Sequence, residues 1–120
     1  MSSKAQYIVE FSLHPGQQEI FKDQLREIIP YIESIEDGTL IYEFYFNEDE
    51  SKCVVTEQYA DSEAMITHLA NVDSRLKQLL TIANITKLEI YGELSAEAKA
   101  IALRSVQLSS PVLEGSQETN

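Results

Sequence analysis

Apolar side chains take alternate positions from Tyr7 through Val9 and Phe11 to Leu13, and this two-residue period predicts an opening strand with one buried face. His14-Pro15-Gly16 ends it. The period then lengthens: Phe21, Leu25, Ile28, Ile32 and Ile35 recur every three or four residues, an amphipathic helix whose wet side carries Lys22, Asp23, Arg26, Glu27 and Glu33. Pro30 lacks a backbone donor and disfavours helix at Ile29, so a kink or a break is expected there. Asp37-Gly38 closes the helix, with Gly38 free to take a positive φ. Alternation resumes in Leu40, Tyr42, Phe44 and Phe46 against Ile41, Glu43 and Tyr45, and again from Cys53 to Tyr59. The acidic connection Asn47-Glu48-Asp49-Glu50-Ser51 is of hairpin length, so these two strands pair antiparallel.

Asp61 can cap the next helix, whose Ala64, Met65, His68 and Leu69 share one face and turn His68 toward the sheet. Asn71-Val72-Asp73-Ser74 predicts a break and a fresh cap, followed by a short helix through Leu76, Leu79, Leu80 and Ile82. A fourth strand has Ile85, Thr86, Leu88, Ile90 and Gly92 against Lys87, Glu89, Tyr91 and Glu93. Ser95 then caps an alanine-rich helix from Ala96 to about Leu108, and residues 109–120 are too poor in apolar side chains to pack, which makes them a flexible tail.

Strands and helices in this order fit an α+β fold: a ferredoxin-like βαββαβ sandwich with a four-stranded antiparallel sheet, helices on one face and an extra C-terminal helix, all one domain over residues 1–108. Helices cover only one side of such a sheet. The other side keeps part of the hydrophobic alternation, so a homodimer joined through the sheet faces is expected.

Bulk properties narrow the partners. A net charge of -11, with nine lysines and arginines scattered singly, excludes nucleic acid and anionic membrane surfaces as natural partners. The N-terminus has no apolar stretch of a secretion signal, no run is long enough to span a bilayer, and the one cysteine, Cys53, lies inside a strand, so a cytoplasmic protein is expected. His14 and His68 are the only histidines, which leaves no multi-histidine metal site. Glu48-Asp49-Glu50 lacks the spacing and glycine of a calcium loop and is read as a solvated hairpin tip. There is no H-E-x-x-H, G-x-S-x-G, P-loop or G-x-G-x-x-G motif, so hydrolase and nucleotide-binding functions lose support.

Two segments resemble a known family. Glu36-Asp37-Gly38-Thr39-Leu40-x-Tyr42 is similar to its E-x-G-x-x-x-Y opening of the second strand, and Glu57-x-Tyr59-x-Asp61-x-Glu63-Ala64-x-x-x-His68 to its E-x-[YW]-x-[DS]-x-x-A-x-x-x-H segment. The family is that of antibiotic biosynthesis monooxygenase domains, which includes quinol monooxygenases and lies within the dimeric α+β barrel superfamily. The resemblance spans about residues 5 to 93. It implies a homodimeric barrel with a pocket between sheet and helices in each subunit, and oxidation of phenolic or quinol-like compounds by O₂ without metal, flavin or other cofactor. The haem-degrading branch relies on a tryptophan and on an asparagine in the first strand; this chain has no tryptophan, and Tyr7 to Leu13 contains no asparagine.

The candidate chemistry centres on His68, with Glu57 as the carboxylate that orients it, and on substrate contacts from Tyr42, Phe44, Tyr59, Met65 and Tyr91. An imidazole beside a carboxylate can take the proton of a bound phenol or quinol, and the resulting anion can pass an electron to O₂ unaided. The expected activity is cofactor-independent monooxygenation of a small phenolic, quinol or polyketide-like aromatic. The alternative is a non-catalytic dimeric module of the same fold that binds a small ligand or serves a stress response, with His68 packed against Glu57 or a backbone carbonyl and the tyrosines as ordinary core.

Overall fold

In the computed structural model, which describes residues 3–107, the first strand β1 (Ala5–Leu13) buries every second side chain, from Ala5 to Leu13. Gly16, at φ +79°, turns the chain into α1 (Gln18–Ile35), which buries Phe21, Leu25, Ile28 and Ile32. The helix continues through Pro30, so of the kink or break expected near Ile29 the break does not occur. Pro30 is exposed, and the buried positions on both sides of it, Ile28 and Ile32, hold the helix against the sheet. Ile35, assigned to the same stripe, is instead half exposed.

β2 (Thr39–Phe46) and β3 (Lys52–Tyr59) form the antiparallel hairpin. Its acidic tip is fastened by its own side chains: Lys52 N donates to Asn47 Oδ1 at 2.9 Å and Ser51 N to Asp49 Oδ1 at 3.0 Å. α2 (Ser62–Leu79) is one 18-residue helix, so the break expected at Asn71–Ser74 does not occur. The polar run there has other partners, since Asn71 reaches Glu36 and Asp73 pairs with Lys77 one turn on, while Val72 and Leu79 stay buried. Leu80 and Ile82, read as part of a short helix, belong to the turn into β4 (Ala83–Gly92). Thr86 sits at a bulge where Phe11 pairs with Ile85 and Glu10 with Lys87, which explains two successive residues assigned to one face. α3 (Ala96–Gln107) starts with Ser95 Oγ accepting from Ala98 N at 3.1 Å. The expected tail, residues 109–120, lies outside the described residues.

The sheet order is β2-β3-β1-β4, all antiparallel, the ferredoxin-like α+β arrangement with an added C-terminal helix. Register places Tyr42, Glu57, Tyr7 and Ile90 side by side in one row across the helix-covered face. The next inward row, Phe44, Val55, Val9 and Leu88, is wholly apolar. On the open face Ile8, Ile41 and Val54 are half-buried among Gln6, Glu10, Glu43, Thr56 and Gln58, while Tyr45 and Tyr91 are exposed. Among the described residues no helix is long and apolar enough to cross a membrane.

Candidate active site

Two local features bring the polar residues together. Asp61 Oδ1 accepts from Ala64 N at 2.9 Å and fixes the first turn of α2, two turns before His68. Gly38 lets that turn close onto the start of β2, because a Cβ on Gly38 would stand 2.5 Å from the Ala64 Cβ. Close approach is therefore what this glycine supplies, since the positive φ expected of it is found instead at Gly16 and Gly92. The imidazole of His68 consequently packs edge-on to Tyr42, with ring centres 4.9 Å apart, and 5.2 Å from Tyr59.

His68 lies between two glutamates. Its Nδ1 is 2.9 Å from Glu36 Oε1, and its Nε2 is 3.3 Å from Glu57 Oε1. Side-chain exposure is only 2% for His68, 3% for Glu36 and 7% for Glu57. Glu36 leaves α1 in an extended conformation and also accepts from Thr39 Oγ1 and from Asn71 Nδ2, the latter at 2.8 Å. Burial works against its charge, but the hydrogen bonds from His68, Thr39 and Asn71 prevail and hold its pKa below the ordinary carboxylate value. An ionised Glu36 can only accept, so His68 Nδ1 carries a proton toward it and the Nε2 side faces Glu57. Glu57 differs. Burial pushes its pKa up, and the pull of His68 together with the hydrogen bond donated by the Tyr59 hydroxyl does not cancel that. One glutamate is thus held as the charged partner of the imidazole and the other is poised to hold a proton.

Glu57 and His68 open onto a cavity of about 470 Å³, open solvent at its mouth included. Tyr7 and Tyr42, the cross-strand neighbours of Glu57, complete its polar end. Its remaining wall is hydrocarbon from sheet and helices, including Val9, Phe44, Val55, Ile28, Leu69 and Val72. Neither the Tyr7 nor the Tyr42 hydroxyl has a hydrogen-bond partner among the described residues. Burial, reinforced by the charge of Glu57, raises both phenols far above their ordinary pKa and keeps them as neutral donors.

Of the residues singled out from the sequence, His68, Glu57, Tyr42 and Phe44 line this cavity. Tyr59 stands behind it, fully buried, donating to Glu57. Met65 is fully buried in the core and does not line the cavity. Tyr91 is 54% exposed on the opposite face of the sheet, its hydroxyl donating to Glu89 at 2.8 Å. Its alternation with Leu88 and Ile90 already carried that signal. Sequence reasoning assigned no role to Glu36, Tyr7 or Asn71. The pattern had put Tyr7 on the buried face of β1, and Glu36 opens one of the two segments carrying the family resemblance, but only the fold brings Glu36 to His68 and Tyr7 beside Glu57. Among the described residues no group of three or more His, Cys, Asp or Glu side chains is arranged to hold a metal ion.

Residues 7–75, more than half of the chain, match the model of the antibiotic biosynthesis monooxygenase family. The chain belongs to that family. Solved structures agree on the fold of this monooxygenase-family protein. MupZ from Pseudomonas fluorescens is 26% identical, covers 87% of this chain and 77% of its own, and superposes with a TM-score of 0.71. SnoaB from Streptomyces nogalater, described as a cofactor-independent oxygenase, is 12% identical over 79% of this chain and 97% of its own, with a TM-score of 0.66. Rv0793 from Mycobacterium tuberculosis is 20% identical over 78% of this chain and 97% of its own, with a TM-score of 0.64. A comparison with curated proteins gave no match.

Proposed function

We propose that the chain is a cofactor-independent oxygenase of a small phenolic, quinol or polyketide-like aromatic. The observation that carries this conclusion is the meeting of Glu57 and His68 at the polar end of an otherwise apolar cavity. A substrate ring seated against Val9, Val55 and Phe44 presents its hydroxyl or adjacent acidic C–H to that pair. The proton passes to Glu57 and His68, with Glu36 holding the imidazole by Nδ1 and balancing the positive charge it gains. The substrate anion gives one electron to O₂, and the resulting radical pair joins to form a C–O bond. When the same carbon loses its remaining hydrogen, the O–O bond breaks, and the stored proton leaves with the departing oxygen in water. The balance is a ring CH₂ plus O₂ giving C=O plus H₂O. Hydrocarbon walls exclude bulk water and so protect the anion from reprotonation.

Support comes from the family and from the fold shared with SnoaB, a cofactor-independent oxygenase. A mostly apolar cavity on which His68 and a carboxylate converge also favours the oxygenase over the non-catalytic module, for which a pocket filled by side chains is expected. A homodimer through the open sheet faces is part of the same proposal, because Ile8, Ile41, Val54, Tyr45 and Tyr91 leave an apolar surface there, and each such side chain contributes roughly 1.5–3 kcal/mol when buried. The test is turnover of anthrone-like phenols and hydroquinones under ¹⁸O₂ with chelator present. One labelled atom per product, at a rate above the spontaneous reaction, is expected; product formed only at the spontaneous rate refutes the proposal.

A further inference from the structure

We infer that the same cavity also isomerises apolar, enolisable ketones without oxygen, the Glu57–His68 pair moving the proton while the Tyr7 and Tyr42 hydroxyls bind the enolate oxygen. The inference shares the base of the oxygenase proposal but none of its oxygen chemistry. It begins from a feature that oxygenation leaves unused: two tyrosine hydroxyls without hydrogen-bond partners, on the strands to either side of one carboxyl group, in the wall of one cavity. Neither hydroxyl is a fully buried atom without a partner, since among the described residues only Gln24 Oε1 is; both tyrosines line the cavity, where their hydroxyls can donate to a ligand oxygen. Both are kept neutral by their surroundings and can donate but not ionise. Cross-strand neighbours have Cβ atoms about 5 Å apart, a spacing that lets a ketone rest its oxygen on a tyrosine hydroxyl with its α-carbon beside Glu57.

The step balances without a co-reactant. Glu57, relayed by His68, removes an α-proton; the C–H electron pair becomes the C=C of the enolate, and the C=O π pair moves onto oxygen, where the tyrosines hydrogen-bond the growing charge. Return of the same proton to the γ-carbon of a β,γ-unsaturated ketone moves the double bond into conjugation. Return to the α-carbon gives only hydrogen exchange. Donors aimed at a developing oxyanion in a water-poor site typically contribute on the order of 10²-fold each. The apolar remainder of the cavity limits the ligand class to cyclic or aromatic ketones without charge, since no Lys or Arg side chain lines it.

The experiment uses 2-tetralone and 3-cyclohexenone as probes in anaerobic D₂O buffer. NMR follows deuterium entering the α-position of the first, and absorbance follows conjugation of the second. The wild-type protein is expected to accelerate both, Glu57→Gln to lose at least about 10²-fold of the acceleration, and Tyr7→Phe and Tyr42→Phe to lose about 10-fold or more each with the double variant lower still. The tyrosine variants remove no protein hydrogen bond, so their folding is secure and their rates are interpretable. Rates equal to buffer, or rates unchanged in both tyrosine variants, overturn the inference. Ketone exchange with no oxygen uptake on the anthrone-like phenols and hydroquinones of the oxygenase test overturns the oxygenase proposal alone, and oxygen uptake on those phenols without anaerobic ketone exchange overturns this one alone.

Discussion

Replacing Glu57 with glutamine should stabilise the fold at neutral pH while removing the proposed activity. The amide carries no charge, like a protonated carboxyl; the Tyr59 hydroxyl and His68 Nε2 both meet the same oxygen of Glu57, Oε1, so at that position the glutamine keeps one of the two contacts. In the wild type, burial raises the Glu57 pKa above its value in the unfolded chain. A group of this kind contributes stability that is fully present below the ordinary carboxylate range and is lost as the pH climbs through the raised value. Glutamine suffers no such loss. Each unit of upward displacement corresponds to about 1.4 kcal/mol, and in a chain of this size that is about 5 °C in Tm. Thermal unfolding of both proteins, followed by circular dichroism from about pH 5 to about pH 8.5, should therefore show a Tm gap in favour of Glu57→Gln that widens as the pH rises. A gap that is flat with pH, or that closes at the alkaline end, would show that Glu57 ionises in the fold at no cost and would refute the upward displacement of its pKa.

Other consequences are cheaper to test. Gly38→Ala puts a methyl into the space taken by Ala64, an overlap expected to cost roughly 1–3 kcal/mol; Tm should fall by at least about 4 °C and recover when Ala64→Gly is added, whereas an unchanged Tm would deny the close approach of α2 to β2. Cys53 is fully buried, with its thiol pushed up to about 12 by burial, so a thiol reagent should label it only after denaturation; rapid labelling of the native protein would contradict this. Light scattering after size exclusion should give twice the chain mass of 13.6 kDa at micromolar concentration, and a mass near the single-chain value would remove the proposed dimer.

The strands β1 and β3 were legible because alternation survives in them: Tyr7 to Leu13 and Cys53 to Tyr59 bury the predicted faces residue by residue, whereas Leu40, assigned to the face of Tyr42, is exposed at a shift of register in β2. Helix continuity was not. Pro30 and the run Asn71 to Ser74 carry local signals for breaks, and in both places burial on either side overrides them, through Ile28 and Ile32 in one helix and Val72 and Leu79 in the other. Thr86 concealed a bulge, which no periodicity can reveal. In the site, His68 and Glu57 could be read from strand and helix phase. Glu36 could not be given its place, because it enters through the end of α1, 32 residues from the histidine it holds. Tyr7 joined the site only once register set β1 beside β3.

Oxygen-electrode traces of the wild type and of His68→Gln, run with hydroquinones and anthrone-like phenols from about pH 5 to about pH 9, test the central claim most directly. Glutamine preserves size and hydrogen bonding between Glu36 and Glu57 but cannot take a proton. The wild type should consume oxygen above the spontaneous rate without added cofactor, with a pH dependence that the variant lacks, and the variant should be slower by on the order of 10²-fold or more. Equal rates in the two proteins, or no uptake by the wild type across the whole panel, would contradict the assignment of proton transfer to this site.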